Sequence, residues 1–146
     1  MNTTNTTEPA FATITFQHAI PEQRVKDLMC CAWEGGSNYW CSLKATRLTP
    51  EADALRSDIQ KARREAGEDP TFYRWEFPFL PGAALELEAD DDEMLYTLTR
   101  EKLIAGLQVM ASTYPRHFAD VLSDNDDDGT GDVFLQCCLF GEIVYG

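Results

Sequence analysis

The segment 133–145 constrains this chain most. It carries Val133, Phe134, Leu135, Cys137, Cys138, Leu139, Phe140, Ile143 and Val144, which cover nearly every face of a helix. A helix with no polar side does not lie on a surface. This one is therefore expected to be buried on most sides, or half buried with its other half an interface. Asp132 or Thr130 is placed to cap its start.

The rest of the chain supplies elements to surround it. Alternation over 11–17, with Phe11, Ile14 and Phe16 among β-branched threonines, predicts a strand. Pro21 suits the first position of a helix whose apolar face is Val25, Leu28, Met29 and Ala32. Gly35-Gly36 is expected to stop it in a left-handed C′ conformation. A second strand is predicted over 38–48, with Tyr39, Cys41, Leu43 and Ala45 on one side. Thr49-Pro50 opens a surface helix over 51–66, packed by the narrow stripe Ala52, Leu55, Ile59 and Ala62. The aromatic stretch 72–80 reads as extended, an edge strand because of Pro78. The clearest hairpin lies at 83–99. There Leu85, Leu87 and Ala89 alternate with Glu86 and Glu88, and Asp90-Asp91-Asp92 makes the turn. Thr99 caps a helix with the stripe Leu103, Leu107, Met110 and Tyr114. Pro115 breaks it, and a short amphipathic piece with Phe118, Val121 and Leu122 follows. The order implies one α+β domain over 10–146, a small antiparallel sheet packed against helices with the last helix mostly buried.

A chain of 146 residues, 44% hydrophobic and 25% charged, is long enough to bury one core without staples. No apolar run reaches the length of a membrane span, so a membrane role is not expected. Residues 1–9 lack a basic and an apolar region and read as a disordered arm, not a signal peptide. Cys30, Cys31, Cys41, Cys137 and Cys138 are odd in number and include two adjacent pairs. That fits reduced packing thiols in a cytoplasm, and their spacing, even with His18 and His117, does not suit zinc.

Charge is distributed unevenly. Residues 1–76 hold 9 Lys/Arg and 11 Asp/Glu, whereas residues 77–146 hold 3 and 14. The net charge of −13 disfavours direct contact with nucleic acid and points to a cation, a basic protein surface or water. Two clusters carry most of it. Glu86, Glu88, Asp90, Asp91, Asp92 and Glu93 would line the hairpin and its tip. Asp124, Asp126, Asp127 and Asp128 precede the last helix. Carboxylates spaced on a rigid strand can imitate a phosphate backbone and attract a Lys/Arg groove. The competing reading is a solvated face that resists edge-to-edge pairing.

Asp124, Asp126, Asp128 and Gly129 also spell D-x-D-x-D-G with Asp132 at the ninth position, a set that Ca²⁺ could use. The twelfth position, where an EF-hand needs a bidentate Glu, is Leu135. Trp33, Tyr39 and Trp40 flank the glycine turn. They could stack on a base or nucleotide, or pack the hinge between helix and strand. Lys61, Arg63 and Arg64 read as a solvated helix end. His117 lacks a nucleophile beside it, and no phosphate-loop, dinucleotide or hydrolase motif occurs, so an enzyme is the weaker reading and no cofactor is expected.

The segments Glu34-Gly35-Gly36-Ser37-Asn38-Tyr39-Trp40, Tyr114-Pro115-Arg116-His117-Phe118-Ala119-Asp120 and 130–146 resemble a family of small acidic proteins of tailed bacteriophages and prophages. The resemblance covers the glycine turn and most of the last third; 49–70 looks specific to this chain. It implies a phage-encoded protein in a bacterial cytoplasm. It also implies an accessory factor such as an inhibitor of host defence, of anti-CRISPR or anti-restriction type. The expected partner is a basic host protein that holds nucleic acid. The alternatives are a Ca²⁺- or small-ligand-binding module and a homo-oligomeric structural protein, such as a homodimer through the last helix.

Overall fold

The computed structural model describes residues 8–15, 17–90 and 93–146. Helix α1, Glu22–Cys31, buries Val25, Leu28 and Met29 and is continued by a π-helical turn, Ala32–Gly36. Strand β1, Cys41–Leu48, follows, then α2, Pro50–Glu65. A 3-10 turn, Arg74–Phe79, leads to the hairpin of β2, Ala83–Ala89, and β3, Leu95–Leu98. Helices α3, Arg100–Thr113, α4, Pro115–Leu122, and α5, Asp128–Phe140, complete the chain.

The α+β expectation holds. The sheet is antiparallel in the order β1-β2-β3, with Leu87 opposite Leu43 on one side and Tyr96 on the other. Leu85, Leu87 and Ala89 are buried while Glu86 and Glu88 take the other face, as strict alternation requires. A bulge at Lys44 shifts the register of β1, so its expected alternation does not run through. Thr49 and Thr99 cap α2 and α3 through their hydroxyls, at 3.1 and 3.3 Å. Among the described residues, no helix is long and apolar enough to cross a membrane.

Helix α5 sits at the centre, against α1, α3, α4, β3 and the π turn. Every residue from 130 to 138 is buried. The helix therefore offers no side along that stretch to a subunit interface. Its approach to α1 depends on Gly131. A Cβ there would lie 2.6 Å from the Ala32 nitrogen and 2.7 Å from the Leu28 carbonyl oxygen, so backbone meets backbone.

Four expectations are corrected. Residues 11–15 form no strand and are exposed, since among the described residues no strand pairs with them; residue 16 of the expected strand and residues 1–7 of the expected arm lie outside the described residues. The stretch 74–79 is a 3-10 turn, closed by Glu76 accepting the Tyr73 N–H at 2.8 Å. Pro21 is the N-cap of α1, one position earlier than expected. Gly35 has φ 169°, extended and not left-handed, and the helix runs on into the π turn instead of stopping.

Candidate functional site

The turn between α1 and β1 joins the two acidic segments. The Asp90 N–H donates to the Trp40 carbonyl at 2.9 Å, which fastens the hairpin tip to it. On the other side the backbone of Asp128 lies against Gly36, where a Cβ would collide with the Asp128 carbonyl oxygen. Gly36 is thus required for close approach.

Helix α5 starts at Asp128, several residues earlier than its apolar run suggests. Asp127, not Asp132 or Thr130, is the N-cap. Its carboxylate accepts from the Thr130 N–H at 3.0 Å, and that bond holds the carboxyl below its ordinary range. The early start places Asp132 inside the helix, one turn down and buried. There it accepts from Ser37 Oγ at 2.8 Å, Tyr39 Oη at 2.7 Å and Trp40 Nε1 at 2.7 Å. Partial burial and the bond to Asp132 push the Tyr39 phenol up to about 12.

The D-x-D-x-D-G carboxylates are divided among different partners. Arg24 of α1 bonds Asp126 at 2.7 Å, approaches Asp124 at 3.4 Å and donates to the Val121 carbonyl at 2.7 Å. That hydrogen bond holds the Asp126 carboxyl below the usual carboxylate range. Asp128 faces Gly35, and Asp132 faces the aromatic turn. Among the described residues, no three His, Cys, Asp or Glu side chains are grouped to hold a metal ion. A guanidinium supplies the positive charge at the loop.

The hairpin cluster is divided too. Glu86 pairs with Arg47 at 3.0 Å and Glu88 with Lys44 at 3.1 Å, so this face is a cross-strand ladder of both signs. Asp90 and Glu93 are exposed at the tip; Asp91 and Asp92 lie outside the described residues. Glu93 adopts φ 53°, a left-handed conformation in which a side chain is strained.

The three aromatics do not converge on one pocket. Trp40 is buried and stacked on Tyr145 at 5.0 Å. Tyr39 is half exposed with its hydroxyl held by Asp132. Trp33 alone lines a cavity of 210 Å³, with Asn38, Cys41 and Ser42 among its other walls. Burial pushes the Cys41 thiol up to about 12 and that of Cys137 up to about 11, in keeping with packing thiols. His117 sits in α4. Arg63 is not simply solvated: it bonds the buried Glu76 at 2.6 Å and the Thr71 carbonyl at 2.7 Å.

Arg24, Ser37, Glu76 and Gln136 are structural partners that the sequence patterns did not single out. One signal was present: Asp132 and Gln136 are spaced i, i+4 in an otherwise apolar helix and so share one side of it. No family model, curated protein or solved structure matches this chain.

Proposed function

We propose that this protein is a non-enzymatic binding protein that presents carboxylates to a basic surface which ordinarily holds DNA or RNA. The observation that carries this reading is the attachment of both acidic segments to one turn. Glu34 on that turn, Asp90 at the hairpin tip and Asp128 at the start of α5 are all exposed around it. Carboxylates fixed on one scaffold give a charge pattern with a defined geometry, which favours encounter with a complementary cationic groove and rejects other partners. The phage-family resemblance suggests the setting. The partner is then a nucleic-acid-binding component of a host defence system in a bacterial cytoplasm, and the protein its inhibitor.

The test is affinity capture from a bacterial lysate, with duplex DNA or single-stranded RNA as competitor. The expected result is a captured protein that is released by nucleic acid. It is also released as salt rises from about 0.1 M to 1 M, where the screening length falls from about 10 Å to 3 Å. Capture that neither nucleic acid nor salt disturbs would sink the reading.

A further inference from the structure

A groove of 680 Å³ runs between the stretch 17–20 and helices α3 and α4. Its apolar walls are Ile20, Ile104, Leu107, Ala111 and Phe118, with Gln17, His18 and Gln108 between them, and among the described residues no Asp, Glu, Lys or Arg lines it. Ile104 stands on its wall 54% exposed. The chain that enters the groove at residue 17 carries Phe11 and Ile14, which are 105% and 80% exposed. Apolar groups so open to water, next to a groove with an apolar wall, call for a partner.

The arm is poorly built to turn back into its own groove. From residue 10 to residue 20 there is no Gly, Pro, Asn, Asp or Ser, the residues that make turns. Thr13, Ile14 and Thr15 are β-branched and favour extended backbone. Charge points to the occupant. Two copies of a chain with net charge −13 repel wherever carboxylates meet. Residues 9–17 contain no Asp or Glu, and among the described residues the groove is lined by none, so here two copies can approach without that repulsion. Each copy supplies one arm and one groove, which is the condition for a closed two-fold contact.

We propose that the protein forms a homodimer by reciprocal arm exchange, Phe11 and Ile14 of each copy entering the α3–α4 groove of the other. The proposal is independent of the acidic-surface reading, since it uses a different face and a different readout.

The experiment is the solution mass of the full chain by light scattering. The wild type is expected at twice the chain mass. The double variant Phe11→Asp, Ile14→Asp is expected as a monomer that still melts cooperatively, at a midpoint that no longer rises with protein concentration as the wild type's does. Ile104→Asp, or the milder Gln108→Glu, is expected to be monomeric with a cooperative melt. An equimolar mixture of arm and groove variants should regain dimer, since the intact arm of one meets the intact groove of the other. Added salt should strengthen association by screening the repulsion between copies. A wild type that stays monomeric at its highest soluble concentration, or variants that keep the dimer mass, overturns the proposal.

Discussion

Asp132 shows how α5 can be polar and buried at once. A carboxylate taken out of water without partners is costly, and three side-chain donors from the 37–40 turn replace the lost hydration. One turn further on, Gln136 accepts from the Val144 and Tyr145 N–H groups at 2.7 and 2.8 Å, which ties the C-terminal segment back onto the helix. The Tyr39 contact has a pH signature. The phenol donates only while protonated, and its ordinary value of 10.0 rises to about 12 in the fold. The unfolded chain therefore loses that proton first as pH rises. The stabilisation is complete below pH 10 and is lost between pH 10 and 12. Urea midpoints measured across that window should fall for the wild type. They should fall less for Tyr39→Phe, which keeps the decline from the raised thiols of Cys30, Cys31, Cys41, Cys137 and Cys138. Parallel curves for the two proteins would contradict the assignment.

Among the elements, those whose signal is local were legible. The hairpin follows from strict alternation in β2, and α2 and α3 from Thr49 and Thr99 ahead of helical stripes. The start of α5 was not legible, because its first turn, Asp128-Gly129-Thr130-Gly131-Asp132, has the composition of a loop. Only the close approach of Gly131 to α1 explains a glycine there, and that is a tertiary fact overriding propensity. The same holds for the site. The two acidic clusters were visible, but the cations that divide them lie 39 to 102 positions away in the chain. Arg24 is the clearest case, joining α1 to the loop before α5 through Asp126. Arg24→Gln should destabilise by about 1–2 kcal/mol, a charge-assisted hydrogen bond discounted for partial exposure. Because the Asp126 carboxyl is held below its ordinary 3.8, the pair contributes fully at neutral pH and fades as pH falls below that value. The stability gap between wild type and Arg24→Gln in denaturant melts should therefore narrow in acid, leaving the part owed to the Val121 carbonyl bond. A gap that does not change between neutral and acid pH would place the effect elsewhere.

For the whole molecule, folding partly cancels the asymmetry written in the chain. Lys44, Arg47 and Arg24 come from the nearly neutral first half, and they fold onto Glu88, Glu86 and Asp126 of the acidic second half. The carboxylates are thus not equivalent. Glu86 and Glu88 are matched within the sheet, whereas Asp90 and Glu93 face solvent at the hairpin tip. A cationic partner gains little from a charge that already has a neighbour of opposite sign, and removing that charge leaves a lysine or arginine behind to repel it. The two sets therefore separate charge pattern from net charge. Asp90→Asn with Glu93→Gln should slow association with the captured partner about tenfold and flatten its salt dependence, as loss of steering charges does. Glu86→Gln with Glu88→Gln changes net charge by the same amount. If only the summed charge mattered, it would slow association equally and no further. If geometry matters, the ladder variant exposes Lys44 and Arg47 beside the tip and distorts the local field while the tip carboxylates remain in place. Its association rate should then change by a factor different from that of the tip variant. Stopped-flow association at low salt decides between them, and equal rates for both variants would reduce the acidic surface to a diffuse charge with no site.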